Sequence, residues 1–146
     1  MDLKDFFKND RFAADAGCEL QEISDGYAVA TMTVGRQHLN AGGVCQGGAM
    51  FTLADLAFAA AVNSHGQLTF SINSTINIFS SAKEGDVLTA VAKEEVNHPK
   101  IPFCEVRITN QDGKLIASFI GQAYRKNQVI DPSRLPTREE SKPNEG

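Results

Sequence analysis

Between Arg36 and Lys83 a single side chain carries a formal charge, the carboxylate of Asp55. Eight residues before it stands the pair Gly47-Gly48. A carboxylate among apolar neighbours has its charged form disfavoured and gains basicity, which suits a general base or a nucleophile. Glycines at the start of a helix leave its opening N–H groups unshielded, at the positive end of the dipole, with no partner inside the helix. A ligand oxygen can approach such amides closely, which is the makings of an oxyanion hole. The plainer alternatives are an Asp satisfied by a buried partner and glycines that only permit a tight turn. No Lys or Arg lies near Asp55 in the chain, which weakens the first alternative.

Eight residues of helix span about 12 Å along the axis, whereas reacting atoms must come within about 3–3.5 Å. Gly47 and Asp55 of one chain therefore cannot grip one substrate carbonyl together. If they cooperate, the amide comes from one subunit and the carboxylate from another.

The element that must carry both groups is predicted over Gln46 to Val62. The stretch has no Pro and no Gly after Gly48, and it is rich in Ala, Leu, Met and Phe. Between Ala49 and Val62 only Thr52 and Asp55 are polar, so the helix is expected to be buried on nearly all sides. It ends near Asn63-Ser64-His65-Gly66, with Gly66 as the left-handed stop and His65 suited to the negative end of the dipole.

Around the helix the chain reads as strands. Cys18 to Ile23 and Tyr27 to Val34 flank the turn Ser24-Asp25-Gly26, and Arg36 to Val44 lapses into a loop. Phe70 to Phe79 alternates, with Phe70, Ile72, Ile76 and Ile78 opposite Ser71, Asn73, Thr75 and Asn77. Val87 to Val96 follows, with Leu88, Ala90 and Ala92 on its apolar side. Phe103 to Asn110 and Leu115 to Arg125 form a hairpin around Asp112-Gly113. Two short N-terminal helices are expected, one carrying Leu3, Phe6 and Phe7, the next capped by Asp10 and ending near Gly17. The pattern predicts one α+β domain over 1–130, an antiparallel sheet covering one side of a long helix. The Pro-, Ser-, Glu- and Lys-rich tail over 131–146 is expected to be disordered. Phe70 to Phe79 has no charge, Pro or Gly, a hazard as a free edge unless a second copy of the chain covers it. A dimer is expected.

Composition narrows the function. A net charge of −4 argues against a nucleic-acid partner. Three cysteines, Cys18, Cys45 and Cys104, indicate neither a disulfide framework nor a zinc site and fit a reducing compartment. No apolar run reaches the roughly 18 residues of a membrane helix, and the acidic N-terminus is no targeting peptide, so a cytoplasmic protein is expected.

Asn40, then Gly43-Val44-Cys45-Gln46-Gly47-Gly48, then Phe51-Thr52-Leu53-Ala54-Asp55-Leu56-Ala57-Phe58-Ala59 resembles the signature of hotdog-fold acyl-CoA thioesterases, with the greatest likeness to the phenylacetate-degradation (PaaI-type) branch. Asn63-Ser64-His65-Gly66 and the turn with Gly85-Asp86 are similar to that branch as well. The resemblance implies a curved antiparallel sheet wrapped around one central helix, hydrolysis of an acyl-CoA thioester, and a homodimer or dimer of dimers, with no metal or redox cofactor. Asp55 matches the family's catalytic acid, Gly47 the glycine whose N–H polarises the carbonyl, and Asn40 an amide that positions carbonyl or water. Ser71 matches a hydroxyl that assists the water in some members. Gly48, Phe51 and Asn73 are the expected substrate contacts.

Two positions depart from the pattern. The family's usual His before the glycine pair is Gln46, whose amide hydrogen-bonds but cannot titrate. The common Arg-Pro-Ala before the Gly-Asp turn is Ser80-Ser81-Ala82, which removes a cation.

Other residues read more plainly. Cys45 is expected to be a small core residue, and His38 and His98 sit in loops without metal-ligand spacing. Lys83, Lys93, Lys100, Arg107, Arg125 and Lys126 could meet CoA phosphates, but solvated surface is the default for each. Two other functions stay open on the same fold: a non-catalytic acyl-CoA binder or sensor, favoured by Gln46, and an enoyl-CoA hydratase, disfavoured because no Asp-x₄-His spacing surrounds Asp55.

Overall fold

A computed structural model describes residues 2–133. Two short helices, α1 (Leu3–Phe7) and α2 (Arg11–Asp15), precede strands β1 (Glu19–Ser24) and β2 (Tyr27–Thr33). A 3-10 turn over Arg36–His38 leads to the long helix α3 (Gly47–Asn63), followed by β3 (Gln67–Ile78), β4 (Val87–Val96), β5 (Phe103–Thr109) and β6 (Leu115–Val129). The six strands form one sheet in the order β1-β2-β4-β5-β6-β3, and every neighbouring pair is antiparallel. β1 and β3 are the two edges. The expected disorder of the tail concerns, from residue 134 on, a stretch outside the described residues.

The core lies between α3 and the inner face of the sheet. Small residues on both surfaces bring them close. Ala54, Ala57, Ala60 and Ala61 of α3 are fully buried, as are Ala28, Ala30, Ala90 and Ala92 in the strands beneath. Phe58 fills the space further along, its ring 5.7 Å from that of Phe119 on β6 and flat against Gly121. Fully burying a side chain of this size contributes about 1.5–3 kcal/mol. Leu88, Ala90 and Ala92 of β4 are buried as their alternation predicts.

α3 ends on a side-chain clasp. Asn63 donates from Nδ2 to the carbonyls of Ala59 and Thr69 at 2.8 and 3.0 Å, and its Oδ1 accepts the Thr69 N–H at 2.8 Å. Gly66, at φ +89°, then turns the chain back along the helix. Because the clasp pulls in the residues after the turn, β3 starts at Gln67, three residues before the predicted Phe70. Its predicted clean alternation is also interrupted. A bulge between Ser71 and Asn73 shifts the register against β6 and leaves Ile72 52% exposed, while Ile76 still packs on the core.

Two of the basic residues assigned to solvated surface are buried, Arg125 and Lys126 of β6, which runs on to Val129. Arg125 donates from Nη1 to Asn97 Oδ1 at 2.8 Å and to the His98 carbonyl at 3.2 Å, pinning the β4–β5 loop. Its Nη2 lies 3.8 Å from Glu94 Oε2, an ion pair too long for a hydrogen bond. The other oxygen of Glu94 is 3.1 Å from His65 Nε2, so His65 bonds across to β4 as well as standing near the helix end.

All three cysteines are free and buried. Burial pushes the Cys18 thiol up to about 11 and the Cys104 thiol up to about 12, and it raises Cys45 too. Cys45 is a core residue, as expected, and its N–H bonds the Ala82 carbonyl at 2.8 Å. No helix among the described residues is long and apolar enough to cross a membrane.

Candidate active site

The start of α3 is built by its neighbours. Gln46, the N-cap residue, donates its N–H to the His38 carbonyl at 2.8 Å and accepts the Ala49 N–H at 3.0 Å. Its side chain caps nothing and is exposed, with Oε1 lying over Gly48. Gly47 packs on β3: a Cβ there would stand 2.9 Å from Ile78 Cδ1. Among the described residues neither the Gly47 nor the Gly48 N–H has an acceptor. Those two amides are the unsatisfied donors that a helix start offers an anionic oxygen.

Asn40 shapes the loop before them. Its Oδ1 accepts the N–H groups of Gly42 and Val44 at 2.9 and 3.2 Å, and its backbone N–H bonds the Val44 carbonyl at 2.8 Å. The amide oxygen is thus used locally, and the Nδ2 group is what remains to offer a ligand.

α3 is buried on nearly all sides, as its composition predicts, and one stripe of it is left. Gly48, Thr52, Asp55 and Ala59, spaced one turn apart, form a stripe that the sheet leaves partly open. Both polar residues of the helix interior fall on it. Thr52 donates its hydroxyl to the Gly48 carbonyl at 2.9 Å. The Asp55 carboxylate has no hydrogen-bond or ion-pair partner among the described residues. Burial raises its pKa above the ordinary carboxylate value, and the charge of Asp10, the cap of α2, raises it further.

Phe51 packs edge-on against Phe119, with ring centroids 5.2 Å apart, beside the open stripe. Ser71 and Asn73 lie on edge strand β3, exposed, at the bulge, with Ser71 Oγ 2.9 Å from Ser74 Oγ. Within one chain the fold gathers Asn40, Gln46, Gly47 and Gly48 at the helix start and leaves Asp55 two turns further on. A cavity of about 490 Å³ opens beside Leu56, the residue after Asp55, between the N-terminal helices and β1.

The sequence profile of the Thioesterase superfamily matches residues 42–117, the stretch from the loop before α3 into β6. The acyl-coenzyme A thioesterase PaaI of Escherichia coli is 37% identical over 124 residues, 85% of this chain and 89% of that protein. The chain belongs to the thioesterase superfamily. Its fold is the superfamily's hotdog fold, and it is a PaaI-like thioester hydrolase. A protein of Archaeoglobus fulgidus that bears an esterase name is 41% identical over 132 residues, 90% of this chain and 86% of that one. The E. coli PaaI structure superposes on this thioesterase with a TM-score of 0.82 at 36% identity, over 86% of this chain and 91% of that one. A hypothetical thioesterase protein of Streptococcus pneumoniae solved with coenzyme A gives 0.78 at 28% identity, over 85% and 99%. Sequence reading missed that Ile78 packs on Gly47 and that the His38 carbonyl holds the Gln46 N–H at the start of α3. Neither contact carries a signal in the chain, because each joins distant segments.

Proposed function

We propose that this thioesterase hydrolyses an acyl-CoA ester to the free acid and CoA, with Asp55 as the base or nucleophile and the Gly47 N–H as the oxyanion donor. The observation that carries the reading is the Asp55 carboxylate, half-buried, without a partner among the described residues and raised in pKa on the open stripe of α3. In the base pathway Asp55 takes a proton from water as its oxygen adds to the thioester carbonyl. The amide of Gly47 receives the developing negative charge. Collapse of the adduct breaks the C–S bond and releases the CoA thiolate. Gln46 and the Asn40 amide group would orient the carbonyl or the water, and Ser71 the water. Gly48, Phe51 and Asn73 would contact the acyl group. Likeness to PaaI, whose structure is described as from a phenylacetic acid degradation operon, supports an aryl-acetyl acyl group. The coenzyme A bound in the S. pneumoniae thioesterase supports CoA as the carrier.

The separation of about 12 Å means that the two groups meet at one carbonyl only across two subunits, and the packing supports one register for the pair. α3 and β3 run antiparallel, with Gly47 against Ile78 and Asn63 against Thr69. Moving about 12 Å from Gly47 to Asp55 corresponds to about four strand residues, so Asp55 is level with about Ser74. A partner's Ile78 placed opposite Ser74 brings that partner's Gly47 to Asp55. Two antiparallel β3 strands in this register have their twofold axis near Ile76.

Asp55→Asn tests the chemistry. The variant is expected to keep its oligomeric state and lose turnover of a panel of acyl- and aryl-CoA esters, read by thiol release. Wild-type rates in the variant would remove Asp55 from the mechanism. Calorimetric binding of CoA esters by wild type without thiol release would mark a binder, and loss of enoyl absorbance would mark a hydratase.

A further inference from the structure

His38 is a buried polar side chain at the start of α3 that the hydrolysis above leaves unused. It closes the 3-10 turn and is 6% exposed. Its Nδ1 accepts the N–H of Gly35 at 2.8 Å, and its Nε2 lies 2.6 Å from the carbonyl oxygen of Ala16. An amide N–H can only donate and a carbonyl only accept, so the two contacts select one tautomer, with the proton on Nε2 and a lone pair at Nδ1. The backbone carbonyl of the same residue holds the N–H of Gln46 at 2.8 Å. Three remote segments therefore meet on one residue: the end of α2 at Ala16, the exit from β2 at Gly35, and the N-cap of α3.

Gln46 is the residue whose peptide unit carries the N–H of Gly47. Its orientation is set by the bond to His38 on one side and by the helical bond to Ala49 on the other. We propose that His38, as the neutral Nε2–H tautomer, is a positioning residue for thioester hydrolysis, fastening the N-terminal helices to the loop that aims the Gly47 amide. This rests on the reading of Gly47 as the oxyanion donor. Through Ala16 the same ring holds α2, the helix whose cap Asp10 bears on Asp55.

Two substitutions separate positioning from mere support. His38→Phe keeps a flat ring at the position, slightly larger, and removes both ring bonds. His38→Asn puts an oxygen near the place of Nδ1, restoring the acceptor for Gly35 without the reach to Ala16. With phenylacetyl-CoA, or the ester turned over fastest in the panel, His38→Phe is expected to lose about ten- to hundred-fold in kcat, with KM little changed. His38→Asn is expected to recover part of that loss. In histidine-¹⁵N spectra of the wild type, Nδ1 of His38 is expected to carry no proton. Wild-type kcat in a folded His38→Phe protein overturns the proposal, as does a lowered melting temperature with kcat unchanged, or a proton on Nδ1. Should His38→Phe fail to fold, the Asn variant decides: reduced kcat at unchanged KM supports positioning, and wild-type kcat overturns it. Asp55→Asn is run alongside. An active Asp55→Asn protein sinks the hydrolysis mechanism itself, whereas an inactive one beside a fully active His38→Phe sinks only the role of His38.

Discussion

Asp55 imposes an energetic cost on the fold whenever it is charged, since burial and Asp10 both disfavour its carboxylate form. A pKa raised in the folded state means that the native protein binds more protons there than the unfolded chain does. Stability therefore declines as pH rises from about the ordinary value of 3.8 through the raised value, and above that window the cost is fully present. Asp55→Asn removes it. The variant is expected to melt above wild type at neutral pH, the gap closing as pH falls toward 3.8, in a pH series of thermal melts. Equal melting at neutral pH would contradict the assignment. Asp55 was legible in the sequence because it is the lone charge in a long apolar stretch. Its half-open setting was not, because only the fold decides which stripe of a uniformly apolar helix the sheet leaves uncovered. The Asn40 oxygen was illegible for a different reason: its bonds to Gly42 and Val44 depend on the conformation of the loop it closes.

The contact between α3 and β6 shows what an element demands of a single position. A Cβ at Gly121 would lie 2.6 Å from Phe58 Cε2, and the ring has its face against the strand with Phe119 beside it. Gly121→Ala is expected to cost about 1–3 kcal/mol by overpacking, measured as a lower midpoint in urea. An unchanged midpoint would show that the ring moves aside freely. Nothing in the stretch from Leu115 to Val129 marks that glycine, since a strand pattern cannot say which aromatic ring of another element lies on it. Period-2 reading succeeded on β4, where alternation is unbroken under the helix, and failed at Ile72, where a bulge exchanges inside for outside. It also left Arg125 on the surface, because the loop that folds over it is distant in sequence.

The whole molecule is a sheet with two edges treated differently. β1 presents Glu19, Gln21 and Glu22 at its edge and is flanked by the N-terminal helices, while β3 leaves an uncharged edge beside the open stripe of α3. That asymmetry supports the proposed pairing through β3 and the proposed shared sites. Gly47→Pro provides the complement to Asp55→Asn, because a first helical position accepts proline and the change removes the N–H, while the Cβ it adds moves the end of the Ile78 side chain aside. The two variants, each inactive alone, are expected on subunit exchange to regain roughly a quarter of wild-type activity, since half the random dimers hold one intact site of two. No recovery after demonstrated exchange would place amide and carboxylate in separate reactions. The fold class and helix were readable from hydrophobic period and glycine placement. The expectation of a dimer rests on an edge and a distance, and it stays a proposal.

The burial of Cys18, Cys45 and Cys104 has a practical consequence. With their thiols lifted well above neutrality, almost none is present as thiolate, the form that air-derived oxidants and alkylating reagents attack. The protein is expected to need no added dithiothreitol, and a single cysteine placed on its surface is expected to be the sole point of attachment for a maleimide dye, as a count of labels by mass spectrometry would check.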